Sequence, residues 1–362
     1  MSLASDFTSI PVLDLSTLQT NRQQLLSDLQ NALINVGFFY VKGHGISHRL
    51  LEELTCQTIK FFDLPLNEKL KVDKIHSPTF LGYSRQGNEI TKGSKDNREQ
   101  FDFANELPDA WTDNKPIYER LFGPNLWPTK DLAPDFSATI LSFHQEAQKL
   151  AEQLTRLVSE CLGLHPDALI NEYLLTGQQN RAKLIKYPVV DQLTPQDGIQ
   201  GVGAHRDTGS LLTILYQANN LPGLQVQNHS GNWIDAPPIP DTFVVNIGTG
   251  LAYLVHNVAT ATTHRVLNPP PGRGPRYSVP YFLSARMDKK LKPVEGIPKD
   301  ILDKRPESVV TDSGHQFSHL YAENPGTYYL LNRISSHRDV GAEFYPEIAA
   351  KHGIKLGLNS GY

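Results

Sequence analysis

The chain has 362 residues, 39% of them hydrophobic and 20% charged, a balance that suits a globular protein able to bury a substantial core. Its 34 basic and 38 acidic residues leave a net charge of −4, which gives no electrostatic reason to expect nucleic acid or an anionic membrane as partner. No apolar run reaches bilayer-spanning length and Met1 to Thr8 lack the features of a secretory signal, so a cytoplasmic protein with no membrane partner is expected, its oligomeric state unset.

In chain order, Ser9 to Leu15 reads as a short strand, and Leu25, Leu26, Leu29, Leu33 and Val36 follow a helical period. Gly37 ends that helix, Phe38-Phe39-Tyr40-Val41 reads as a buried strand, and a second helix runs from about Ser47 to Phe62 before Pro65 stops it. Residues 75–135 show no clear period and many turn formers, and are expected to form an irregular active-site wall. Ile140 through Cys161 then place an apolar stripe on one long helix. Both cysteines, Cys56 and Cys161, fall in apolar helical patterns and are expected to be small buried hydrophobes.

From about 182 to 286 the pattern changes to short β segments: 183–187, 210–216, 224–227, 242–247, 264–267 and 277–285. Turn formers separate them, which argues for a sandwich or barrel. Without a composition shift to mark a second domain, the chain reads as helices packed around one β core. Its regions are an N-terminal part (1–135), a long supporting helix (136–180), the β core (181–290) and a C-terminal segment closing a pocket (291–362).

Chemistry concentrates in that core. His205-Arg206-Asp207, then His264, then Arg276-Tyr277-Ser278 supply two imidazoles, a carboxylate, a guanidinium and a hydroxyl. Two His and one carboxylate are the donor set that holds a non-haem Fe(II) on one face and leaves the other open. Residues i and i+2 project from one face of a strand, so His205 and Asp207 can address one metal from a single strand or its end. The tripeptide alone says little, because His337-Arg338-Asp339 repeats it. Strand context separates the copies: Leu211 to Leu215 follow the first, whereas the second follows Ser335-Ser336 and reads as a solvated loop or substrate-side segment. Neither copy is a kinase catalytic loop, because Leu212 and Phe344 stand where that loop requires Asn. An inward-facing Arg276 is costly unless an anion meets it, and its planar fork matches a carboxylate with Ser278 beside it. Tyr187 on an adjacent strand is a further hydroxyl donor.

At this point the chain resembles the isopenicillin N synthase-like branch of the Fe(II)/2-oxoglutarate-dependent dioxygenases over nearly its whole length. The resemblance is carried by Ile10 to Leu15, Gly37-Phe38-Phe39-Tyr40-Val41-Lys42-Gly43-His44-Gly45-Ile46, Glu99 to Asp102, Gly123 to Pro128, Gly223 to Gln227, Trp233 to Pro238 and Val244 to Gly248. It implies a mainly β fold, a double-stranded β-helix (jelly roll) core with flanking N- and C-terminal helices. It implies that His205, Asp207 and His264 ligate Fe(II), and that Arg276, Ser278 and Tyr187 bind 2-oxoglutarate. Arg206 between the ligands, Gly248-Thr249, Ala261 and Ile185 depart from the usual pattern, so a relative's substrate does not transfer.

The implied reaction consumes O₂ and 2-oxoglutarate, releases succinate and CO₂, and oxidises a C–H bond of a small-molecule metabolite by hydroxylation, desaturation or cyclisation. Isopenicillin N synthase and aminocyclopropane carboxylate oxidase carry the same Arg-x-Ser, so an oxidase without 2-oxoglutarate is the alternative, and a non-catalytic binding protein a third reading. Substrate-side walls are expected from residues 76–105, the strand after Ser278 and the segment 313–340, with Tyr83, Phe101, Phe282, Ser284, Asn332 and Arg333 as candidate contacts.

Overall fold

The computed structural model describes residues 6–91, 94–174, 179–190, 200–305 and 319–356. Its strands are β1 (Val12–Asp14), β2 (Phe38–Lys42), β3 (Gly82–Ser84), β4 (Ile90–Thr91), β5 (Ser94–Lys95), β6 (Glu99–Ala104) and β7 (Arg181–Tyr187). They continue as β8 (Val202–His205), β9 (Ser210–Gln217), β10 (Leu224–Gln227), β11 (Trp233–Asp235), β12 (Phe243–Ile247), β13 (His264–Val266) and β14 (Arg276–Ser284). Eight of them form a large sheet in the order β1-β2-β12-β9-β14-β7-β6-β3, and four a small sheet, β11-β10-β13-β8. Apart from the parallel β1–β2 pair, the ladders of both sheets are antiparallel. Strands β7 to β14 are the double-stranded β-helix, and β1, β2, β3 and β6 extend its large sheet.

Side-chain alternation along the strands sorts the core into two layers. Phe39, Val41, Leu184, Ile214 and Val245 face the helices, chiefly Arg22–Asn35, His48–Phe62 and Phe136–Cys161. Their neighbours Phe38, Tyr40, Ile185, Tyr187 and Val244 face the small sheet, where Val202, Leu224, Val226 and Val266 meet them. The large sheet is therefore buried on both faces. Gly37 at φ +70° makes the turn into β2, in a space where a Cβ would lie 2.1 Å from the Thr260 carbonyl.

Three expectations need correction. The stretch 75–135 is not irregular throughout: it holds β3 to β6, and β6 pairs with β7 from Glu99↔Lys186 to Ala104↔Arg181. Phe101 and Phe103 of β6 face the helices while Gln100 and Asp102, also buried, lie on the other face. Polar residues on a buried face disguised the strand. Second, 136–180 is not one helix; it is Phe136–Cys161 followed by Ala168–Tyr173. Third, Cys161 is buried as expected but Cys56 is exposed, because Leu51, Leu54, Thr58 and Phe61 take the inner side of its helix. Strands β8 and β11 fall outside the expected β segments; β8 is only four residues long and begins between two glycines. The C-terminal segment folds into Lys299–Leu302, Leu320–Glu323, Pro325–Ser336, Arg338–Phe344 and Pro346–Lys351; residues 313–318 of the expected pocket wall lie outside the described residues. Among the described residues, no helix is long and apolar enough to cross a membrane.

Candidate metal centre and co-substrate pocket

His205 ends β8 and His264 opens β13, and the two are paired directly across the small sheet. Asp207 lies two residues beyond the end of β8, the strand-end version of the geometry expected from i, i+2 spacing. His205 Nε2 stands 3.6 Å and His264 Nε2 3.8 Å from Asp207 Oδ1, and one donor atom from each residue lies within 4.8 Å of the others. Both Nδ1 atoms are committed elsewhere, His205 donating to Gly203 O at 2.8 Å and His264 to Thr262 O at 3.2 Å. A carbonyl only accepts, so each Nδ1 carries the hydrogen and each Nε2 presents a lone pair to the common centre.

The carboxylate is divided the same way. Asp207 Oδ2 accepts from Thr213 Oγ1 at 2.5 Å and from Asn246 Nδ2 at 2.8 Å, leaving Oδ1 for the centre. Burial alone would raise this carboxyl, but the imidazoles beside it, which attract it only when they carry a second proton, and the Asn246 amide hold it well below the ordinary carboxylate range. Burial, aided by His205, pushes His264 down to about 4, so its ring is neutral at physiological pH. Two imidazole nitrogens and a carboxylate oxygen, each oriented by a partner behind it, could hold a divalent metal such as Fe(II).

Arg276 opens β14 opposite Tyr187 and is fully buried. Its Nε donates to Leu221 O at 3.2 Å and one terminal nitrogen to Gln217 Oε1 at 3.0 Å, and its guanidinium lies 5.1 Å from the Tyr187 ring centroid. The other terminal nitrogen is buried without a hydrogen bond of good geometry, the Tyr187 side chain is the polar group beside it, and among the described residues no carboxylate pairs with this guanidinium. Burial without such a partner lowers its affinity for the proton. Ser278, two residues on, lines the same cavity as Arg276, Tyr187 and the three candidate ligands. That cavity, about 440 Å³, opens between the two sheets.

Four of the candidate substrate contacts line the cavity: Phe282, Ser284, Asn332 and Arg333. Tyr83 and Phe101 do not. Tyr83 donates to Glu99, and Phe101 packs among Phe61, Trp127 and Phe136, because both point to the helix side of the large sheet. The second His-Arg-Asp is not a solvated loop. His337 is 1% exposed at the junction of helices Pro325–Ser336 and Arg338–Phe344, 4.0 Å from Glu89, while Arg338 lines the cavity.

Sequence reading missed a buried ion network on the same wall. Glu89 meets Arg98 at 2.7 Å and Lys183 at 3.0 Å, Arg98 also meets Asp96 at 2.9 Å, and Asp102 meets Lys74 at 2.6 Å. The alternation Gln100/Asp102 against Phe101/Phe103 was the available signal.

Two family models match: the N-terminal region of non-haem dioxygenases in morphine synthesis over residues 10–130, and the 2OG-Fe(II) oxygenase superfamily over 167–285. A 2-oxoglutarate-dependent dioxygenase of Dothideomycetidae sp. (strain 11243) is 38% identical, covering 95% of this chain and 94% of its own. A homoarginine-6-hydroxylase of Oryza sativa subsp. japonica is 35% identical over 81% of this chain and 90% of its own. Among solved structures, a full-length Neurospora crassa protein in complex with α-ketoglutarate and thymine superposes with a TM-score of 0.72 at 26% identity, covering 91% of this chain and 98% of that one.

Proposed function

The chain belongs to the 2OG-Fe(II) oxygenase superfamily and is a 2-oxoglutarate-dependent dioxygenase requiring Fe(II), 2-oxoglutarate and O₂; on that premise we propose that His205, Asp207 and His264 hold the iron and that Arg276, Ser278 and Tyr187 hold the co-substrate. The observation that carries the reading is the fully buried Arg276, with a terminal nitrogen that lacks a hydrogen bond of good geometry and no carboxylate partner among the described residues, in the cavity that the three metal-type donors face. A buried guanidinium without a counter-charge is costly, and a dicarboxylic acid supplies one.

The bound iron and co-substrate supply O₂ activation, in the balance R–H + O₂ + 2-oxoglutarate → R–OH + succinate + CO₂ for a hydroxylation. The chain's residues position and enclose. Arg276 would hold a carboxylate of 2-oxoglutarate with the Ser278 hydroxyl beside it, and the Tyr187 ring lies 5.1 Å from the guanidinium. Leu215, Leu224 and Val266 line the space between the sheets and keep bulk water from the reacting atoms. The primary substrate is a small-molecule metabolite entering past Phe282, Ser284, Asn332 and Arg333.

Anaerobic titration of the Fe(II) protein with 2-oxoglutarate tests the assignment. A visible charge-transfer band is expected, absent in His205→Ala and shifted to higher ligand concentration in Arg276→Gln. An unchanged titration in Arg276→Gln would refute its role, and no band in the unaltered protein would favour an oxidase that bypasses 2-oxoglutarate.

A further inference from the structure

The cavity walls hold more positive charge than the cofactors and internal ion pairs use. We propose that the surplus, Arg333 and Arg338 with the hydroxyl of Ser335, forms a second anion site that recognises a carboxylate on the primary substrate. This rests on reading Arg276 as the anchor of 2-oxoglutarate.

The charges can be followed one by one. Fe(II), Asp207, the 2-oxoglutarate dianion and Arg276 sum to zero. The buried network is also balanced, with Lys74, Arg98 and Lys183 against Glu89, Asp96 and Asp102; Lys183 stands 3.7 Å from Asp102 as well as 3.0 Å from Glu89. Arg206 also lines the cavity and donates to Thr263 Oγ1 at 3.3 Å. Two further guanidiniums lie together on the helical wall. Arg333 sits 3.9 Å from Asp102, a carboxylate that Lys74 already claims at 2.6 Å. Arg338 has no hydrogen bond or ion pair among the described residues, and its Nε is buried without a partner. The adjacent Asp339 is turned away, accepting from the Val340 amide at 2.9 Å and lying 3.5 Å from Asn88.

Ser335 adds an independent sign. Its Oγ is likewise buried and unpartnered, and like Arg333 and Arg338 it lines the cavity. Buried polar atoms are nearly always satisfied, so several orphans on one wall mark where a ligand supplies the missing acceptor. All three sit on helix Pro325–Ser336 or at the start of Arg338–Phe344, joined through buried His337, so the donors are set before the ligand arrives. Planar guanidinium forks match a carboxylate.

The test uses the Fe(II)-loaded protein with 2-oxoglutarate and a panel of amino acids and aliphatic and aromatic carboxylic acids, each beside its neutral primary amide, reading succinate formation above the substrate-free rate. Stimulation by one or more acids but not by their amides is expected. For such an acid, Arg338→Ala and Arg333→Ala should raise KM roughly ten- to hundredfold, Arg338→Lys should recover part of the loss, and the half-saturating 2-oxoglutarate in the anaerobic titration should stay put. Equal stimulation by acid and amide, stimulation by neutral compounds alone, an acid indifferent to both arginines, or no stimulation by any acid would overturn the proposal. If the unaltered protein does not bind 2-oxoglutarate, the underlying reading has failed instead.

Discussion

Thr213 Oγ1 donates to Asp207 Oδ2 at 2.5 Å, from the large sheet to the carboxylate at the end of a small-sheet strand. With the Asn246 amide on the same oxygen, it turns Oδ1 toward the imidazoles. Thr213→Val removes one of these hydrogen bonds at nearly constant volume. Iron affinity is expected to fall about 10- to 100-fold, and further in Thr213→Val with Asn246→Ala. Metal content after dialysis against a graded chelator measures it; an unchanged affinity in the double variant would show that the carboxylate orients itself.

Gly223 guards the position of Arg276. A Cβ there would stand 2.7 Å from Leu267 O and 3.2 Å from Arg276 Cδ, on a backbone with φ +156°. Gly223→Ala therefore pushes on the arginine without touching a metal-type donor. Affinity for 2-oxoglutarate should drop while iron content is retained, a split that isothermal titration and metal analysis resolve.

The Lys74–Asp102 pair is 1% and 0% exposed, with Lys183 on the same carboxylate. Asp102→Ala strands the buried Lys74 cation, while Lys183 keeps Glu89, and is expected to cost about 3 to 5 kcal/mol of stability. Lys74→Met with Asp102→Leu should cost less than Asp102→Ala alone, since no charge is left unmatched between them. Urea denaturation of the three proteins checks the order, and a double variant as unstable as the single one would contradict it.

His144 is buried with Nε2 on the Asn180 carbonyl at 2.9 Å, and burial lowers its pKa to about 4. Its folded value lies below its unfolded one near 6.5, so the unfolded chain binds the proton first. The stability associated with the neutral ring is complete above about pH 6.5 and is lost as pH falls toward 4. His144→Gln keeps a donor for Asn180 and removes the titration. Its melting temperature should fall less steeply between pH 6.5 and 4.5 than that of the unaltered protein; parallel curves would assign the acid sensitivity elsewhere.

What the sequence determined by itself was local and periodic. The spacing of His205 and Asp207, the strand pattern after them, and Arg276 two residues before Ser278 were legible because strand alternation converts spacing into shared direction. Only the tertiary structure decided which residues far apart in the chain meet. It brought His264 across from His205, set Thr213 and Asn246 behind Asp207, and turned Tyr83 and Phe101 to the helix side. It also folded the second His-Arg-Asp against Glu89 instead of into solvent. The physical reason is that a polar residue in a strand reads as surface until a partner is known to bury it. Asp102 and Lys74, 28 positions apart, satisfy each other only once the sheet and the segment before it have closed.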